Sequence, residues 1–113
     1  MAMLRLLRMQ LAGKKLGLML STGPEHANLT TMLGLSSAAL DRGAQVYLYL
    51  IDDGVAAVED ARVQALADRG ARLFVCAYGC QKRGQPLSER ATNCGLVVLT
   101  DVINATDRFV ALN

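Results

Sequence analysis

The stretch Asp41-Arg42-Gly43-Ala44-Gln45-Val46 recurs as Asp68-Arg69-Gly70-Ala71-Arg72-Leu73, and this repeat decides the fold. In each copy an acid and a base end a helical pattern, a glycine able to take the left-handed conformation follows, and an apolar strand begins at once. The pair marks two successive helix-to-strand units. Working outward, short apolar runs at residues 16–20, 45–51, 73–76, 96–99 and 109–112 predict five strands. Leu29, Met32, Leu33, Leu35, Ala39 and Leu40 give the first helix a broad apolar face, while Val55, Val58, Ala61, Ala65 and Leu66 fall on one side of the second. Such alternation is the signature of a mostly parallel sheet flanked by helices, an α/β domain joined by right-handed crossovers.

The chain of 113 residues is 52% hydrophobic and 19% charged, which suits one domain over residues 15–113 rather than two. Twelve Lys+Arg against ten Asp+Glu leave a charge of +2, too small for a nucleic-acid footprint, and without Trp there is little for base stacking. No apolar run is long enough for a transmembrane segment. Three cysteines are too few, and odd in number, for a secreted disulfide framework, so a cytoplasmic protein with reduced thiols is expected. Residues 1–14 form an N-terminal extension in which Leu4, Leu7 and Leu11 recur at helical spacing around Arg5 and Arg8. A partner-packing helix and a membrane-surface helix are the other readings of that segment. So apolar a small domain is expected to be a homo-oligomer.

In an open α/β sheet reactive groups gather where strands end. The first strand exits into Ser21-Thr22-Gly23, whose hydroxyls and amides suit an anion or simply cap the next helix. His26 stands apart from any acid and nucleophile and reads as a helix-start residue. Asp52 and Asp53 face opposite ways at the second exit, as in ordinary Asp-Gly turns. Cys76, Cys80, Cys94 and His26 lack zinc-site spacing, so no metal is expected, and the absence of a phosphate fingerprint leaves a nucleotide or flavin cofactor unsupported. Cys76 ends a buried strand just before a helix start, with Lys82 and Arg83 one to two turns on. Those groups favour a thiolate, while a buried, inert cysteine is the alternative. Cys80, reached through a sharp turn at Gly79, is an auxiliary thiol, and Cys94, ahead of the fourth apolar run, a bystander.

Phe74-Val75-Cys76 followed by Arg83-Gly84 resembles the V-C-x₆-R-G signature of the DsrE/DsrF-like family, whose sulfur-relay members include TusD-type subunits. Asp53-Gly54-Val55, Arg69-Gly70-Ala71 and Ala105-Thr106-Asp107-Arg108-Phe109-Val110 are similar to other family segments in the same order. The resemblance implies a three-layer α/β sandwich assembling into trimers, hexamers or similar. It also implies that Cys76 accepts sulfane sulfur as a persulfide from a donor protein and passes it to an acceptor protein, with no cofactor. C-x₃-C replaces the C-x-x-C common in relatives with a second cysteine, which sets the chain apart from thioredoxin-like chemistry. A non-catalytic oligomeric or regulatory binding module of the same fold is the alternative function.

Overall fold

The computed structural model describes Met3 and residues 10–113. The expected apolar face of the extension at Leu4 and Leu7 lies outside the described residues. Leu11 belongs to a turn whose N–H donates to the Arg42 carbonyl at 2.9 Å. The elements are β1 (Lys15–Leu20), α1 (Ala27–Asp41), β2 (Gln45–Leu50), a 3₁₀ turn (Asp52–Ala57), α2 (Ala61–Asp68), β3 (Arg72–Cys76), α3 (Ala77–Lys82), β4 (Thr92–Cys94), α4 (Leu96–Ala105) and β5 (Arg108–Leu112).

All neighbouring strands pair in parallel in the order β4-β3-β2-β1-β5. The chain steps outward from β1 to β4 and then jumps back to β5. With right-handed crossovers this reversal puts α4 on the face opposite α1 and α2, giving the three layers of an α/β sandwich. Side chains alternate across each strand. Leu18, Leu20, Val46, Leu48, Leu50, Leu73 and Val75 share one face and are buried in a single core with Leu29, Met32 and Ala39 of α1 and Val63 and Leu66 of α2. Burying each large aliphatic side chain stabilises the fold by about 1.5–3 kcal/mol. On the other face Met19, Tyr47 and Phe74 are only half-buried, whereas Tyr49 is fully buried. Among the described residues, no helix is long and apolar enough to cross a membrane.

The repeat behaves as its residues dictate. Gly43 and Gly70 take φ of 88° and 106°, and each is followed directly by a buried alanine and a strand. Asp41 of the first copy pairs with Arg69 of the second at 2.6 Å, and Arg69 also donates to Ser37. The repeated charges thus tie α1 to the end of α2. His26 caps α1, its Nδ1 accepting from the Asn28 N–H at 3.0 Å, so Ser21 and Thr22 do not serve that role.

Two expectations are corrected. Residues 96–99 are the first turn of α4 and not a strand; Leu96 and Val97 are largely exposed, and the fourth strand is the short Thr92-Asn93-Cys94. An edge strand with one neighbour needs no continuous apolar run, and four apolar residues fit a helix as readily as a strand. The second helix is also divided. Asp60 starts α2 by accepting from the Arg62 N–H, and the inward residues of α2 are Val63, Gln64 and Leu66 while Ala61 and Ala65 are exposed. Val55 and Val58 are buried from the preceding turn instead, and Gln64 donates back to the Val58 carbonyl, leaving its buried amide paired.

Candidate functional site

Cys76 is the last residue of β3 and the N-cap of α3. Its backbone is still extended, so strand alternation sends its side chain to the same face as Phe74, away from Leu73 and Val75. It is 3% exposed, and its Sγ accepts a hydrogen bond from the Gly79 N–H at 3.4 Å. Gly79 lies inside α3 without a positive φ, which corrects the sharp turn expected there. Its function is close packing. A Cβ at Gly79 would stand 3.2 Å from Val55 Cγ1 and 3.5 Å from the Asp52 N, so the missing side chain lets α3 settle on the 3₁₀ turn.

That turn fixes the site from the β2 side. Asp52 holds a φ of 52°, a left-handed conformation that Asp tolerates better than most residues. Gly54 presses on the end of β1, and Asp53 accepts from Arg83 Nε at 2.8 Å. The exits of β2 and β3 are clamped together by that ion pair. Arg83, the C-cap of α3, is thus held by the Asp53 carboxylate, whose hydrogen bond pushes its guanidinium up. Lys82 is exposed in the last turn of α3.

The register contributes what the sequence reading missed. Cys94 is the parallel partner of Cys76 across β3 and β4, so the two side chains share a face on strands about 4.8 Å apart. Tyr49, opposite Phe74 on the same face, is fully buried, and its hydroxyl donates to the Gly95 carbonyl at 2.9 Å. To reach Gly95 from β2 the phenol must cross β3, which brings it beside both thiols. Burial, and then Cys94 and Cys76, push the Tyr49 phenol far up, so it stays protonated. No spacing rule in the sequence links Tyr49, Cys76 and Cys94; only strand register does.

The remaining candidates lie elsewhere. Cys80 is fully buried within α3, where burial and then Cys76 push its thiol up. Ser21, Thr22 and Gly23 follow the end of β1, two strands from Cys76 in the order β3-β2-β1. Ser21 is engaged with Leu112 and Asn113, and a Cβ at Gly23 would lie 2.6 Å from a Glu25 carboxylate oxygen. A carboxylate there opposes an anion, and the turn is not brought to the cysteine. Among the described residues no three His, Cys, Asp or Glu side chains converge as a metal site.

Burial is also the largest influence on the Cys94 thiol, raising it, with Cys76 adding to the rise and hydrogen bonding to Tyr49 and Val75 working against it. Alkylation proceeds through the thiolate, so a raised pKa means slow labelling at neutral pH that accelerates as pH rises past the ordinary thiol range. We expect iodoacetamide to label Cys94 slowly at neutral pH and Cys80 only when the fold opens. Peptide mapping against pH checks this. Labelling of either at the rate of a free thiol contradicts it.

Comparison with known proteins agrees with this architecture. The chain matches the DsrE/DsrF-like family model over residues 14–112. The crystal structure of the YchN protein from E. coli is similar in fold, with a TM-score of 0.71 and 18% sequence identity over 88% of this chain and 98% of that one. No curated protein matches. The family match runs from the residue before β1 to the last residue of β5, and the chain belongs to the DsrE/DsrF-like family.

Proposed function

We propose that the protein is a sulfur carrier in which Cys76 accepts a sulfane sulfur as a persulfide and yields it to a partner thiol. The family is in general one of sulfur relay. The observation that carries the reading is the setting of Cys76: a thiol at a strand exit, nearly closed to water, with a backbone N–H aimed at its sulfur. A persulfide needs shielding, and a developing sulfur anion needs a donor.

In the loading step the Cys76 thiolate attacks the outer sulfur of a donor persulfide. A new S–S bond forms to Sγ, the donor's S–S bond breaks, and the donor leaves as a thiolate. With thiosulfate the leaving group is sulfite. Unloading is the same exchange in reverse sense, a partner thiolate attacking the outer sulfur and Cys76 departing as thiolate. The Gly79 N–H supports the sulfur, and Arg83, positioned by Asp53, adds positive charge, with Lys82 further out. Cys80 is the auxiliary thiol of this scheme. A reducing compartment such as the cytoplasm is where such thiols and persulfides persist.

Intact-mass measurement after exposure to polysulfide tests the proposal. The expected result is a gain of about 32 Da, one sulfur atom, reversed by a thiol or by cyanide. No gain on the folded protein would return it to the reading of a non-catalytic oligomeric or regulatory module.

Self-association belongs to the same proposal. Leu96, Val97 and Ile103 of α4 are 58%, 75% and 44% exposed, and Met19, Tyr47 and Phe74 on the sheet face beside α4 are only half-buried. Apolar surface of this kind on a small domain is a contact surface. Light scattering at micromolar concentration is expected to give a trimer, hexamer or similar multiple of 12.1 kDa. A stable monomer contradicts that expectation.

A further inference from the structure

We propose that Cys94 is the outlet thiol of the carrier, taking the outer sulfur from Cys76 and presenting it to the acceptor. The inference rests on the reading of Cys76 as the first sulfur acceptor and names the next atom on the route.

Three observations converge on it. Cys76 and Cys94 are register partners on adjacent parallel strands, with side chains on the same face. Their accessibility is graded: Cys76 is 3% exposed and bonded by Gly79, whereas Cys94 is half-buried on the edge strand and is followed by exposed Gly95, Leu96 and Val97. An incoming protein thiol therefore meets Cys94 first. Finally, the buried Tyr49 phenol is fixed to Gly95, immediately after Cys94, and so holds the end of β4 against β3. Cys80 has no such outlet, being wholly buried in α3.

The step balances without an oxidant or reductant. Cys94 Sγ attacks the outer sulfur of the Cys76 perthiol; the Cys94 Sγ–S bond forms and the Cys76 S–S bond breaks. Cys76 departs as a thiolate and takes up the proton that Cys94 gives up, so one thiol and one perthiol simply exchange places. Burial holds the Cys94 thiol up, so it gives up its proton only as it attacks, and the exchange neither takes up nor releases a net proton.

The test is a time course on the full chain loaded with less than one equivalent of polysulfide, trapped with iodoacetamide and mapped by peptide mass. The expected result is sulfur on Cys76 at early times and on Cys94 later. In Cys94→Ser and Cys94→Ala the sulfur should remain on Cys76, and its removal by cyanide should slow on the order of tenfold. Wild-type sulfur that stays on Cys76 throughout overturns the inference without touching the carrier reading, and it does so whether or not the variants fold. A stall in Cys80→Ser with none in the Cys94 variants also overturns it. Sulfur that never reaches Cys76 defeats the carrier reading itself.

Discussion

Replacing Cys76 with serine is expected to abolish sulfane loading, with the yield of cyanide-removable sulfur falling on the order of 100-fold or more. Serine keeps the size and the hydrogen bond to the Gly79 N–H, so the fold should persist while the nucleophile is lost. Neither remaining thiol replaces it. Burial raises both Cys80 and Cys94, leaving them mostly protonated near neutral pH, and Cys80 is closed to solvent. Thiocyanate released from polysulfide-treated protein, measured beside an unaltered circular dichroism spectrum, reads the effect. Loading at the wild-type level would remove Cys76 from the first position.

The largest stability effect is expected at Gly54. A Cβ there would stand 2.8 Å from the Leu20 carbonyl carbon and nearer still to its oxygen, a collision with backbone that cannot turn aside. Gly54→Ala must therefore push the 3₁₀ turn off β1. That movement takes Val55, 1% exposed, out of the core and disturbs the seat of α3, since Gly79 rests on Val55 and Asp52. The expected cost is about 3 kcal/mol, a melting temperature lower by roughly 10 °C. Loading at Cys76 should weaken in the same variant. A melting temperature unchanged in thermal denaturation would mean that the turn is not seated as described.

How far the sequence could be read depended on which signals are local. Gly43 and Gly70 announce themselves because a helix end that turns directly into a strand needs a positive φ, and the residues on either side repeat. The strands at residues 45–50 and 72–76 are buried runs with turn chemistry at their ends, and the Cys76 exit follows from them. The α/β class and the position of the candidate nucleophile were legible for that reason. The fourth strand was not, because Thr92-Asn93-Cys94 is polar and short while the neighbouring Leu96-Val97-Val98-Leu99 reads like a strand. Two of those four residues are largely exposed, which a single chain has no local reason to do.

That misplacement had a consequence at the site. With the strand shifted, Cys94 stood before it as a bystander; in the fold it ends the strand opposite Cys76. Tyr49 was invisible for a similar reason, since its hydrogen bond to Gly95 spans three strands and depends wholly on register. Arg83 was read with Lys82 as a base one to two turns beyond Cys76 that favours the thiolate, and the structure adds its carboxylate, Asp53, from the neighbouring exit. Turn chemistry placed a turn at Asp53-Gly54 but gave no hint that Gly54 is buried against β1 or that Asp53 holds Arg83 from it.

Single-turnover loading of the wild-type protein shows whether the Cys76 sulfur is the first atom to receive sulfane sulfur. Polysulfide at well below one equivalent, quenched at the earliest time point and mapped by peptide mass, should place the added sulfur on the peptide carrying Cys76, ahead of Cys80 and Cys94. First appearance of the sulfur on either of the other two cysteines, or on none, would show that Cys76 is not the first acceptor.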